Sequence, residues 1–306
     1  LNSYKTPILF LIFNRLTTSQ QVFAAICQAQ PAQLYIASDG PRPQVPEEDE
    51  KVKAVRNYVV NHIDWDCQVH TLFREENLGC RLAVSSAIDW FFEYESEGII
   101  LEDDCLPDAS FFRYAEELLS HYRHDKRIMA ISGLNIFPSL SYFSHSYCFS
   151  HYPYCWGWAT WKRAWQYYDV DIDLWTCLRD TNWLLAISGG SQSFQNYWSR
   201  AFNQAYENKI DTWDFQWFFC CWAQHGLAIM PSCNLVENIG FDQNATHTKS
   251  SNTFLEIPKS TLPFPLAHPP FVVRDDRIDS WVEKHVFSGS YSIYKRLKNR
   301  FKKLFD

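Results

Sequence analysis

Gly98-Ile99-Ile100-Leu101-Glu102-Asp103-Asp104 is the stretch on which the fold of this chain turns. A short apolar run that breaks directly into three consecutive acids has the form of a buried strand delivering charge to one end of a sheet. Adjacent carboxylates repel one another and cost stability unless something positive sits among them. Oxygen ligands at one tight turn suit Mg²⁺ or Mn²⁺, which take one or two protein carboxylates and complete their shell with water and substrate phosphates. Taken alone, the triplet would more often be a solvated acidic loop or a cap for the helix after Pro107 than a metal site.

The flanking sequence favours the metal-binding reading. Pro7 to Phe13 is a continuous apolar run of strand length, and Thr17 to Ala29 then carries Val22, Ala25, Ile26 and Ala29 at helical spacing. Leu34 to Ala37 predicts a second strand, ending at the turn Ser38-Asp39-Gly40-Pro41. A helix is expected from about residue 48 to 62, a third strand over Val69 to Phe73, and a helix over Leu82 to Phe92 begun near Asn77-Leu78-Gly79. Another helix should follow the triplet, over Ser110 to Tyr122. Strands alternating with helices imply an α/β fold with a mostly parallel sheet and right-handed crossovers. Such sheets bind ligands outside the carboxyl ends of their strands, where Asn14, Arg15, Asp39 and the acidic triplet fall.

Composition narrows the function further. The chain has 306 residues, a formal charge of -7, 46% hydrophobic and 21% charged residues, so it can bury a sizeable core. The acidic balance argues against nucleic acid as a partner. No Gly-x-x-x-x-Gly-Lys-Ser/Thr or Gly-x-Gly-x-x-Gly sequence is present, which removes the main support for a Walker-type ATPase or a dinucleotide dehydrogenase. With 10 Gly and a net negative body, a diphosphate would have to be held chiefly by a metal. The ten cysteines contain no Cys-x-x-Cys pair and read as reduced, mostly buried thiols. Aromatics are dense from 137 to 175, and five prolines between 258 and 270 predict an extended strap.

Ile8 to Arg15, Ser38-Asp39-Gly40-Pro41-Arg42, Asn77-Leu78-Gly79, Glu102-Asp103-Asp104, Trp156-Gly157-Trp158 and Trp213-Asp214 together resemble the nucleotide-sugar glycosyltransferases of GT-A fold. The likeness is to the N-acetylglucosaminyltransferase I type and its bacterial relatives, and it covers about residues 6 to 248. It implies an inverting hexosyl transfer from a nucleotide-diphosphate donor, UDP-linked by resemblance, to a glycan or lipid-linked glycan, with Mn²⁺ or Mg²⁺ as cofactor. On the same basis Arg15, Asp39 and Asp103 would bind the nucleotide or its ribose, Glu102 would contact the donor sugar, Asp104 the metal, and Asp214 would be the general base. Asn14 and Arg42, which lie within these motifs, are added to the nucleotide side.

Chemistry asks for the same parts. Displacement at an anomeric carbon needs a carboxylate opposite the leaving diphosphate, within hydrogen-bond reach of the acceptor hydroxyl. Asp214, between Trp213 and Phe215, is the candidate, with burial expected to raise its pKa; Asp211 is the runner-up, and a helix cap is the structural alternative for Asp214. Trp156, Gly157 and Trp158 are candidates for a sugar-binding wall. Arg81, opening a helix at the sheet edge, could pair with the diphosphate or be an ordinary surface arginine. His247 is a candidate second metal ligand or a structural histidine. The triplet is not Asp-x-Asp, and no Gln-x-x-Arg-Trp sequence of processive polymerases is present. A sugar-1-phosphate nucleotidyltransferase would want a Gly-rich basic loop after the first strand, which Asn14 to Thr18 is not. A non-catalytic carbohydrate-binding protein would leave the triplet without a task.

The expected organisation is a nucleotide-sugar-binding half over 1–131, an acceptor-binding half of the same domain over 132–257, a Pro-rich strap over 258–290 and a basic tail helix over 291–306. In that tail Ile293, Tyr294, Leu297, Phe301, Leu304 and Phe305 fall on one helical face among Lys295, Arg296, Lys298, Arg300, Lys302 and Lys303. This predicts either contact with anionic lipid on the inner face of a membrane or a docked helix with solvated charges. The longest apolar run is far short of a bilayer span and no signal-peptide pattern opens the chain, so a cytoplasmic protein is expected.

Overall fold

The computed structural model describes residues 4–138, 142–240 and 257–287. The first apolar run forms strand β1 (Ile8–Ile12), which is apolar throughout because both of its faces are covered. Ile8, Phe10 and Ile12 pack with Val22, Phe23 and Ile26 of helix α1 (Leu16–Ala29), whereas Leu9 and Leu11 enter a second core layer on the opposite side. β2 (Gln33–Ser38), α2 (Glu48–Asn61), β3 (Gln68–Phe73), α3 (Gly79–Tyr94) and β4 (Glu97–Glu102) continue the alternation that the apolar periodicity predicted. Register then places the site. Leu11 pairs with Glu102 and Ile12 with Ser38, so Phe13 to Arg15, Asp39, Asp103 and Asp104 all leave the sheet at one edge.

After the triplet come β5 (Cys105–Pro107), α4 (Ala109–Tyr122), β6 (Ile128–Ser132), β7 (Tyr147–Ser150) and β8 (Trp158–Trp161). Three short helices follow, α5 (Lys162–Trp165), α6 (Trp175–Leu178) and α7 (Trp183–Ser188). The longer α8 (Gln192–Tyr206) and α9 (Asp214–Ala223) lead into β9 (Leu227–Pro231) and β10 (Val236–Asn238). The sheet order is β3-β2-β1-β4-β8-β6-β9-β7, with β10 and β5 forming a separate antiparallel pair. β1, β2, β3, β4, β6 and β9 run one way and β7 and β8 the other. The expected α/β architecture, a mostly parallel sheet flanked by helices, is present.

The second half holds strands that periodicity did not reveal. In β8 all four residues, Trp158 to Trp161, are buried, so no polar alternation marks it. It inserts between β4 and β6, so both halves share one sheet and residue 131 lies inside β6. α9 is buried from Gln216 to Trp222, which explains its apolar character all round. The strap is also corrected. Residues 257–275 run without regular helix and dock through Leu262 N–H to Ser110 Oγ (3.0 Å) and Ala267 N–H to Ser146 Oγ (2.8 Å). α10 (Asp276–Val282) follows, capped by Asp275, so this part is helical rather than extended. No helix among the described residues is long and apolar enough to cross a membrane. His247 and the 291–306 tail lie outside the described residues.

Candidate active site

The carboxyl ends of β1, β2 and β4, the start of α3, and the turn before α9 enclose a cleft of about 400 Å³. Arg15, Asp39, Arg42, Glu102, Asp103, Asp104, Trp156 and Asp214 all line it. These residues come from segments as far apart in the chain as 15 and 214, and the sheet register brings their ends together.

At the acidic tip, Arg15 Nη2 donates to Asp103 Oδ1 and to Asp104 Oδ2, the latter at 2.9 Å. Burial opposes the Arg15 charge, but the two carboxylates outweigh it and push the guanidinium above its usual range. Asp103 is 4% exposed and its Oδ2 has no hydrogen-bond partner. Burial raises the Asp103 carboxyl to about 6, against the pull of Arg15. Glu102 is pushed well above the usual carboxylate range by burial and then by the charges of Asp104, Asp103 and Asp214. Three carboxyl groups thus crowd one guanidinium, so added positive charge at the tip is favoured. The β5–β10 pair closes one side of it, through Ile239 N–H donating to the Asp104 carbonyl at 2.8 Å.

Asp214 opens α9 on the other wall. Its turn is fixed from beneath: Trp213 stacks on Trp158 of β8 with centroids 5.7 Å apart, and Ile100 of β4 pairs with Trp158. Asp214 Oδ1 accepts from Phe215 N–H (3.0 Å) and from the Thr212 hydroxyl. Asp211, by contrast, is spent on structure. Its Oδ2 and Oδ1 accept from Cys80 N–H and Arg81 N–H, each at 2.8 Å, while Asp39 accepts from Leu78 N–H and Gly79 N–H at 3.0–3.1 Å. The start of α3 is therefore capped twice by carboxylates from distant segments. Gly79 is required there: its φ is +78, and a Cβ would lie 2.7 Å from Asp211 Oδ2.

Other expected site residues are placed differently. Arg81 is not among the cleft-lining residues; it donates to Asn208 and reaches Asp171 at 3.5 Å. With the first N–H groups of α3 already committed, neither they nor Arg81 face a diphosphate. Trp158 is fully buried, which corrects its assignment to a sugar wall. Gly157, at φ +57, breaks the extended backbone between the two tryptophans, so only Trp156 faces the cleft, and Gly157 itself packs against Val236. Asn14 stands behind the cleft, donating at 2.8 Å to Glu48, and the same buried carboxylate binds Arg42 through its backbone and guanidinium. Burial works against charge on Glu48, yet the Arg42 contacts hold its carboxyl below the usual range.

Three contributors were missed from sequence. Glu48 reads as an ordinary acidic residue in a first helical turn. Arg74, which lines the cleft directly after β3, could have been found by the strand-end rule that found Asp39. Gly240 closes over Arg15 and Asp104 from a segment with no motif of its own. The cleft thiols Cys80 and Cys155 are raised by burial first and then by the surrounding carboxylates, so they are neutral and unsuited to nucleophilic work. All ten cysteines are free.

No protein-family model and no curated protein matches the chain. Among solved structures it is similar to a mannosyltransferase from Pyrobaculum calidifontis in complex with GDP-Man and Mn²⁺, at 13% identity, 52% of this chain, 45% of that chain and a TM-score of 0.36. It is also similar to mouse xyloside xylosyltransferase 1 in its apo form, at 10% identity, 72% and 81% coverage and a TM-score of 0.34. A UDP-glucose pyrophosphorylase complexed with UDP-glucose gives 12% identity, 48% and 62% coverage and a TM-score of 0.28. The chain spans less than half of the mannosyltransferase and about three fifths of the pyrophosphorylase.

Proposed function

We propose that the protein is an inverting, metal-dependent glycosyltransferase that moves a sugar from a nucleotide-diphosphate donor, UDP-linked by resemblance, to a hydroxyl of a glycan or lipid-linked glycan. The single supporting observation is that one cleft joins the acidic tip of β4 to a separately anchored carboxylate, Asp214, from the other half of the chain. Among the described residues no group of three His, Cys, Asp or Glu side chains forms a ready-made metal cage. The donor set fits an ion that arrives with its phosphates: Asp104 lines the cleft, and the buried Asp103 keeps one oxygen without a partner. Asp104, backed by Asp103, would hold Mn²⁺ or Mg²⁺, with His247 a further candidate. When bound, the ion would stabilise the negative charge developing on the departing diphosphate.

The remaining steps belong to the chain's own side chains. Asp214 takes the proton of the acceptor hydroxyl as its oxygen forms the new bond to the anomeric carbon. The bond from that carbon to the phosphate oxygen breaks, and its electron pair leaves with the nucleoside diphosphate. Arg42 and Arg74 line the strand ends, where the nucleotide would lie beside Asp39; Glu102 would face the sugar, and Trp156 would offer it an aromatic face. The 291–306 tail would hold the enzyme at anionic lipid, near lipid-linked acceptors.

Calorimetry with UDP and GDP, with and without Mn²⁺, tests the proposal. Affinity for one of them is expected to rise on adding Mn²⁺, and Asp104→Asn should remove that gain. Equal affinity with and without metal for both nucleotides would overturn it.

A further inference from the structure

Arg15 occupies the place where a metal-dependent site wants its cation. A single guanidinium nitrogen serves both Asp103 and Asp104, and the three side chains are only 25%, 5% and 17% exposed. The contact is closed from above. A Cβ added at Gly240 would lie 2.3 Å from Asp104 Oδ2 and 2.7 Å from Arg15 Nη1, so only bare backbone fits over the pair. Behind it, Asp103 Oδ2 is buried and without a partner, an acceptor that the guanidinium does not reach.

A guanidinium cannot shed its proton, so it leaves Asp104 only by moving. While it stays, a divalent ion approaching Asp104 meets a carboxylate that already has a partner, with a like charge beside it. A diphosphate changes both conditions. It offers Arg15 paired oxygens suited to its planar fork, and its negative charge separates the two cations.

We infer that Arg15 is the resident counter-ion of the acidic tip: it keeps the free protein from taking up a divalent cation and releases Asp104 only when a diphosphate arrives, so that metal and nucleotide bind as a coupled pair. This rests on the glycosyltransferase proposal for the identity of the anion. Coupling of this kind is reciprocal, so whatever the nucleotide adds to metal affinity the metal adds to nucleotide affinity.

Mn²⁺ uptake by the full chain, read from the paramagnetic resonance signal of the free ion, tests this without any assay of turnover. Arg15→Gln should bind Mn²⁺ alone about 10-fold tighter than wild type, and the gain from adding UDP or GDP should shrink by a similar factor. Arg15→Lys keeps the charge and should stay near wild type. Arg15→Gln that melts like wild type and binds Mn²⁺ no tighter overturns the inference. So does wild-type protein that binds Mn²⁺ as tightly alone as with saturating nucleotide, a result that needs no variant. If no nucleotide binds wild type under any condition, the proposed function fails, and Mn²⁺ binding to Arg15→Gln alone still decides the role of Arg15.

Discussion

Asp211 and Asp214 both line the cleft three residues apart, and substitution should separate a carboxylate that holds the fold from one that does chemistry. Asp211→Ala removes both acceptors of the Cys80 and Arg81 N–H groups, each at 2.8 Å. Loss of a helix cap costs about 1 kcal/mol, and loss of a carboxylate facing the helix dipole up to about 1 kcal/mol more. For 306 residues the unfolding entropy near the midpoint is about 0.6 kcal/mol/K, so about 2 kcal/mol lowers Tm by about 3 °C. Gly79→Ala should lose the same cap, because its Cβ would fall on Asp211 Oδ2, and should melt at least as early. Asp214→Asn keeps an oxygen for the Phe215 N–H and the Thr212 hydroxyl. It should melt within about 1 °C of wild type while turnover drops ~10²-fold or more. Calorimetric melts and turnover with a panel of nucleotide sugars would be measured on the same preparations. If Asp211→Asn lost the turnover while Asp214→Asn kept it, the base would be Asp211 and this account of the cleft would be wrong.

The tryptophan pair offers a second separation. Trp158→Ala should cost about 3–5 kcal/mol in urea unfolding, because the ring is wholly buried among Trp165, Trp213 and Trp217; Trp156→Ala should cost much less and instead raise KM. Both ring nitrogens of His151 are buried without a hydrogen-bond partner, Nε2 lying 4.0 Å from Asp279 Oδ2, and burial, reinforced by Arg274, holds its pKa well below 6.5. The unfolded chain takes up this proton below pH 6.5 and the folded chain does not. Stability from this group is therefore complete above 6.5 and lost on acidification by up to about 1.4 kcal/mol per pH unit. His151→Gln should flatten urea midpoints measured from pH 6.5 to 5, and an unchanged slope would locate the proton uptake elsewhere. Deleting 291–306 should abolish co-sedimentation with anionic vesicles at low salt while leaving Tm unchanged; retained co-sedimentation would refute the lipid contact.

Much of the first half was legible because its signals are local. Helical spacing in α1 and α2, the apolar runs of β1 and β4 and the turn after β2 each depend on a few consecutive residues, and the strand-end rule then collected Arg15, Asp39 and the triplet on one edge. Where the governing contact is distant in sequence, expectation failed. Asp39 and Asp211 reach α3 across separations of 40 and 130 residues, and this committed the helix start on which the expectation for Arg81 relied. Trp156 and Trp158 are near neighbours of one kind, yet one faces the cleft and the other the core, because Gly157 turns the chain between them.

The amino-acid order by itself determined that alternating strands and helices would form and that acidic and basic residues would emerge at strand ends, since periodicity and turn chemistry act over a few bonds. Only the tertiary structure decided which charges meet. Insertion of β8 beside β4, the stacking of Trp213 on Trp158 and the closure of Gly240 over Arg15 are pairings between remote segments, and no local pattern encodes them because their free energy exists only once the sheet is assembled.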